Sequence, residues 1–284
     1  MSPKKPALIS ILLVLVALIA WLGVSGWRAA SQARLALADL DRLQAALADP
    51  QVAAVPTVAA DLAALEAHLV ATRSAARPFL WVAPRLGWLP RVGEEAVAAP
   101  VLLDLAVEVA GAGRQAVDAL APVTGVLAGD ASMGAMPQIV AGLAAAAPAL
   151  AESNARLAQA AALRAEVHGP LHPRLEGLLA QVDQLLPLAQ TGLQAAQVAP
   201  ALLGQDGPRT YLILAQNNHE LRPTGGFISG AGFVRLAGGQ ITDLKLTDSY
   251  SVDNWQQPHP PAPRPLSEQM GAQLLTLRDS NWSP

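Results

Sequence analysis

The sequence predicts an α+β chain: an N-terminal transmembrane helix, then an antiparallel α-helical bundle or coiled-coil stalk, then the start of an α/β domain with an antiparallel sheet. Three observations carry this reading. Residues Ala7 to Val24 form an uncharged run of 18. Alanine, which costs least in a helix, is abundant up to about residue 200 and falls to 6 of the last 84. After Gly204 the apolar spacing changes from a helical period to a period of two. The expected parts are 1–27, a cytosolic tail and signal anchor; 28–205, an extracytoplasmic helical region; and 206–284, the N-terminal part of the α/β domain.

The Ala7–Val24 run has only Ser10 as a polar side chain. At about 1.5 Å per residue it reaches most of the way across a bilayer core of roughly 30 Å, and Ser25 to Trp27 complete the span. Trp21 and Trp27 fall where an indole keeps its ring apolar and its N–H wet. Lys4 and Lys5 precede the run and favour a cytosolic amino terminus, although Arg28 and Arg34 follow on the far side. A cleavable signal peptide has a shorter apolar core and a small-x-small site, and Val24-Ser25-Gly26 before Trp27 is a poor one. The expectation is therefore an uncleaved anchor, a single span, and a chain that lies mostly outside the plasma membrane.

In the helical part, Ala36, Leu40, Leu43 and Leu47 repeat at 4-3-4 spacing, as do Val58, Leu62, Leu65 and Leu69. That period lays a narrow apolar seam along one face, as paired helices require. Asp49-Pro50 is expected to end the first helix and Pro56-Thr57 to open the second. Glu94-Glu95 suit a helix N-terminus and lead into the stripe Val97, Val101, Leu105 and Val109. The Gly- and Pro-rich stretch Pro122 to Pro137 is expected to break the pattern, with further helices at about 138–167 and 171–199. Between Arg77 and Pro90, three prolines argue against a regular helix while Phe79, Trp81 and Trp88 bring large apolar area. Two readings stand: a connector that plugs one end of the bundle, or aromatics that dip into the outer leaflet or grip a partner.

Beyond Gly204, strands are expected at 211–216, 226–236 and 241–247, with Gly238-Gly239 as a turn. Leu244 and Leu246 face one way and Asp243, Lys245 and Thr247 the other, which predicts one covered and one wetter face. Pro258 to Pro265 reads as a stiff surface loop, and Leu266 to Leu277 as a helix.

Composition excludes several function classes. Net charge is −3, and residues 206–284 carry 6 basic against 7 acidic groups, so no basic arm exists to grip nucleic acid. With no cysteine, thiolate metal sites and cysteine nucleophiles are excluded. His219-Glu220 lacks the second histidine of a zinc helix. His168 and His172 are separated by Gly169-Pro170 and are expected as exposed loop residues. No cofactor motif is present.

The stretch from Gln216 to Phe227 places Asn217, Asn218, Glu220, Arg222, Thr224, Gly225 and Gly226 between two apolar strands. It resembles the motif of the bacterial family called domain of unknown function 4012. The motif runs Gln-Asn-Asn, Glu-Leu-Arg and Thr-Gly-Gly-Phe-Ile, here Gln216 to Asn218, Glu220 to Arg222 and Thr224 to Ile228. His219 stands where the family pattern has a small residue. The likeness continues at Asp248-Ser249-Tyr250 and Asp279 to Pro284, and upstream at Leu89 to Gly93. The resemblance implies a membrane-anchored envelope protein with a binding or scaffold role and no established activity. It also implies a family motif that continues beyond Pro284.

A more distant similarity of layout, to the LytR-CpsA-Psr phosphotransferases, implies an alternative: transfer of glycans from polyprenyl pyrophosphate carriers to the cell wall. There Arg222 and Asp248 would act at the pyrophosphate, the Gly225-Gly226 amides would cradle an anion, and a divalent metal would assist. The partner would be cell-wall or lipid-linked glycan. Against both stands a purely structural role, in which the polar side chains bond one another and Arg222 pairs with Glu220 or Asp248 to hold a loop.

Overall fold

The computed structural model describes residues 4–48, 55–90, 92–129, 133–222 and 224–281. The expected helix break at Asp49-Pro50, the motif residues Arg91 and Trp282 to Pro284, and Pro223 lie outside these. So do the side chains of residues 4–14, Leu47, Ala48 and Met133. Among the described residues, five α-helices are followed by an antiparallel sheet, as the sequence predicts, and a short sixth helix comes after it. The helices are α1 (Lys4–Ala48), α2 (Val55–Leu80), α3 (Gly93–Gly129), α4 (Met136–Glu166), α5 (Pro173–Leu202) and α6 (Arg264–Met270). The strands are β1 (Arg209–Arg222), β2 (Gly225–Ala237) and β3 (Gln240–Asp248). The chain divides into two compact units, Met1–Ala131 with Gly142–Val198, and Ser132–Ala141 with Ala199–Pro284.

The first unit is an up-and-down bundle centred on α3. Ala36 and Leu43 of α1 pack with Leu65 of α2 and Ala110 of α3, joined by Val58, Leu62 and Leu69, so the two leucine seams meet. On its other side α3 packs with α4 and α5 through Ala98, Leu105, Ala160, Leu171 and Leu179. Leu150 and Leu157 of α4 and Leu193 of α5 continue that core beside Ala112. Neighbouring helices are antiparallel, because contacts run in opposite order: Asp39 meets His68 and Arg42 meets Asp61 between α1 and α2, Glu66 meets Arg114 and Arg73 meets Asp104 between α2 and α3, and Glu108 meets Arg156 and Gln115 meets Glu152 between α3 and α4.

Several expected boundaries are displaced. The uncharged run and the first bundle helix are one 45-residue helix. Pro78 lies inside α2, and Pro122 inside α3, which continues to Gly129 instead of breaking. A proline interior to a helix removes one ladder bond at a cost of about 3 kcal/mol. Here tertiary contacts hold the chain in helix past each ring: Phe79 lies over Gly26, and Val123 sits on Gly142. The helix expected over 266–277 stops at Gly271, which takes the left-handed conformation at φ 67°. Val97 of the predicted α3 stripe is 38% exposed, while Leu105 is buried. His168 and His172 are exposed and non-helical, as expected.

Charged side chains knit the bundle together. Glu66 of α2 accepts from Arg114 of α3 and from Arg156 of α4 (3.2 Å), and Arg156 also reaches Glu108 (2.9 Å). Burial pushes the Glu66 carboxyl up, but the hydrogen bonds from Arg114 and Arg156 outweigh it and hold the group below its usual range. A Cβ at Gly111 would run into the Arg156 guanidinium, so the glycine makes room for this network. By length and composition α2 and α3 are apolar enough to cross a membrane.

In the second unit the strands pair in chain order, with Tyr211, Val234 and Leu244 in register across the sheet. The Gly238-Gly239 turn is fixed by bonds from its two amides to the carbonyls of Gly204 and Leu203 (both 2.9 Å). The sheet departs from the expected one-sided burial. Leu244 and Leu246, assigned to a covered face, are each 59% exposed on the edge strand β3, and burial concentrates on β2 from Gly226 to Ala231. A period of two states which residues share a face; it does not supply an element to cover that face.

Candidate functional site

The motif that the sequence places in a long loop folds mostly as strand. β1 runs through Asn217 and Leu221 to Arg222, and β2 restarts at Gly225, so Arg222 and Gly225 are paired across the tip of a hairpin. Register slips between Asn217 and Leu221, so that Asn218, His219 and Glu220 form a bulge. The bulge is exposed, and Asn217 steadies it by accepting the His219 amide (3.1 Å). The double glycine serves this geometry. Gly225 has φ 133°, and Gly226 lies against the Asn217 backbone, where a Cβ would collide.

Arg222 is directed inward. Its side chain is 7% exposed and donates to Asp279, 9% exposed, at 3.0 Å. The expectation that Arg222 pairs with Glu220 or Asp248 is thus corrected: Glu220 sits on the exposed bulge and Asp248 is used elsewhere. Asp279 also accepts from Arg278 (3.3 Å). Around this pair, Asn281 donates to the Gly226 carbonyl (2.7 Å) and Thr224 donates to the Asn281 carbonyl (3.1 Å). Phe227 lies under the Arg222 guanidinium at 5.3 Å and against Tyr250 at 6.3 Å, and Arg278 covers Tyr250 at 4.3 Å.

Asp248 ends β3 and caps the short turn Ser249–Ser251 by accepting the Tyr250 amide (2.8 Å). That cap is how it serves the cluster, by placing Tyr250. A second tie comes from Asp253, which accepts the Leu277 amide (3.1 Å) and fixes the turn that carries Asp279. Of the predicted residues, the structure therefore gathers Arg222, Thr224, Gly225 and Gly226 around Asp279 and Asn281. It leaves Asn218 and Glu220 outside, with Asn217 supporting the bulge. Sequence reasoning left Asp279, Asn281 and Arg278 out of the site. The signal was present in Asp279-Ser280-Asn281: Ser280 serves the local turn by donating to the Leu277 carbonyl, while Asp279 and Asn281 reach residues more than fifty positions away.

The cluster is only partly satisfied within itself. Unpartnered buried atoms among the described residues include Arg222 Nε, Ser249 Oγ, Thr276 Oγ1 and Asn281 Oδ1. No group of three or more His, Asp or Glu converges among the described residues.

The class defined here is a three-stranded meander stapled at its hairpin tip by a buried Arg–Asp pair. Residues 206–284 match the family described as "Protein of unknown function (DUF4012)", which bears out the resemblance read from the motif over that segment. No curated protein and no solved structure matches the chain, and the LytR-CpsA-Psr similarity gains no support from these comparisons.

Proposed function

We propose that the chain is a single-pass protein of the bacterial cell envelope, anchored by residues 7–24, with its amino terminus in the cytosol and an outer binding or scaffold domain. The observation that carries the anchor is α1 itself. Leu15, Val16, Leu18, Ile19, Trp21 and Val24 are between 47% and 67% exposed on one continuous helix. Such a sleeve of apolar side chains is costly in water and favourable in lipid. The apolar helices α2 and α3 are assigned to the bundle, because the Glu66–Arg114 pair lies between them.

The scaffold role is supported by Arg222–Asp279. The guanidinium that a transferase would turn toward pyrophosphate is turned inward on a carboxylate. Of the six basic groups after residue 205, Arg222 and Arg278 come together, both on Asp279, while Arg264 pairs with Glu268 and Arg209 donates to the Ala201 carbonyl. A paired reporter fusion after residue 205 tests the topology. Activity of the periplasm-type reporter alone is expected, and activity of the cytosolic one alone overturns the reading.

A further inference from the structure

The insert Arg77–Pro90 does not plug the bundle. Ala83 is buried, but Trp81 and Trp88 are 73% and 76% exposed. Its place along α1 gives these indoles a use. The Phe79 ring lies within 3.5 Å of where a Cβ at Gly26 would stand, so the end of α2 is level with the first residues beyond the apolar run. There Trp21, Trp27 and Arg28 of α1 and Arg77 and Trp81 from the end of α2 line one open groove of about 1040 Å³. Trp27 is 72% exposed. Arg42 and Arg73 on the same helices are paired with aspartates, whereas Arg28 and Arg77 have no carboxylate partner among the described residues.

Two segments fifty residues apart in sequence thus present indoles and uncompensated guanidiniums at one depth, the depth at which a helix leaves the hydrocarbon. Indoles concentrate at that boundary, and guanidiniums hold phosphate through two parallel hydrogen bonds. We propose that this groove seats the phosphate headgroup of an anionic membrane phospholipid. Arg28 and Arg77 take the phosphate while Trp21, Trp27, Trp81 and Trp88 lie in the interfacial layer, so the 77–90 insert is a second membrane contact. This rests on residues 7–24 being in the bilayer and holds for either orientation of the span.

The absence of cysteine makes the test direct. Full-length Leu18→Cys, Trp81→Cys, Trp88→Cys and, on α5, Leu185→Cys chains carry one environment-sensitive fluorophore each in vesicles of phosphatidylcholine and phosphatidylglycerol at 3:1. The labels at 81 and 88 are expected to be quenched by a headgroup-level nitroxide lipid, with the label at 185 open to an aqueous quencher. A lipid-exposed label at 18 with aqueous labels at 81 and 88 overturns this inference and leaves the anchor standing. An aqueous label at 18 overturns both. In the same vesicles the detergent-extracted wild type is expected to retain phosphatidylglycerol above its bulk share. Arg28→Gln with Arg77→Gln is expected to bring the retained phosphatidylglycerol down to its bulk share. Unchanged enrichment in the double variant removes the phosphate role of the two arginines.

Discussion

The two units use ion pairs in opposite ways. In the bundle, Glu66, Arg114, Arg156 and Glu108 share their charges across three helices, each side chain keeps some contact with water, and both arginines have a second carboxylate. In the sheet unit, Arg222 and Asp279 are both more than nine-tenths buried, and Arg222 has one carboxylate partner. A shared, half-wet network degrades gradually when a member is lost. A buried pair is less forgiving: without Asp279 the Arg222 guanidinium is left in a low dielectric with no carboxylate, and without Arg222 the Asp279 carboxylate keeps Arg278 alone. The bundle's polar layer therefore sets how helices align, and the buried pair decides whether the hairpin tip and the Leu277–Asp279 turn are joined at all.

The largest effect belongs to the buried pair. Asp279→Ala, which leaves Arg222 buried without a carboxylate, is expected to cost about 3–5 kcal/mol in the sheet unit, and Arg222→Ala less, because Asp279 keeps Arg278; both are read by urea unfolding of the full chain. The double variant should cost clearly less than the sum, and strict additivity would break the comparison. Glu220→Gln, on the exposed bulge, should fall within about 0.5 kcal/mol of wild type.

An intermediate effect is expected at Gly111. Alanine there meets the Arg156 guanidinium, which must shift from both Glu66 and Glu108. An overpacking cost of about 1–3 kcal/mol is expected. The readout is the thermal midpoint of helical circular dichroism, and no change would mean that the network adapts freely.

The smallest effect is Glu66→Gln, expected near 1 kcal/mol because Arg114 retains Asp118 and Arg156 retains Glu108. It sharpens the comparison through pH. The folded Glu66 carboxyl lies below its ordinary 4.5, so its stabilisation is full above that value and is lost as pH falls through the lower, folded one. Wild type and Glu66→Gln should therefore begin to converge in stability as pH falls below 4.5 and coincide once it is below the folded value. Parallel curves throughout would show that the arginines do not favour the charged form.

Much of this was legible in the sequence. The leucine seams meet as the 4-3-4 spacing requires, Glu94 and Glu95 lie in the first turn of α3, and Gly238-Gly239 makes the predicted turn. What failed has one character. Pro122 and Pro78 read locally as breaks, yet packing on Gly142 and Gly26 carries the helices past them. Leu244 and Leu246 read as core, yet nothing among the described residues covers them. Arg222 stood out in the sequence with Glu220 and Asp248 as its offered partners, at most 26 positions away, and the carboxylate it meets is 57 away.

The sequence by itself determined the local conformations: an apolar helix, alanine-rich amphipathic helices and a meander with glycine turns. These follow from short-range sterics and from the period of apolar residues, which a linear reading contains in full. The tertiary structure alone decided which distant groups meet: Arg222 with Asp279, Glu66 with both Arg114 and Arg156, and the Trp81 insert level with Trp21 and Trp27. Those meetings depend on helix lengths, crossing order and register, and a charge or an indole carries no local mark of the partner that the fold will bring to it.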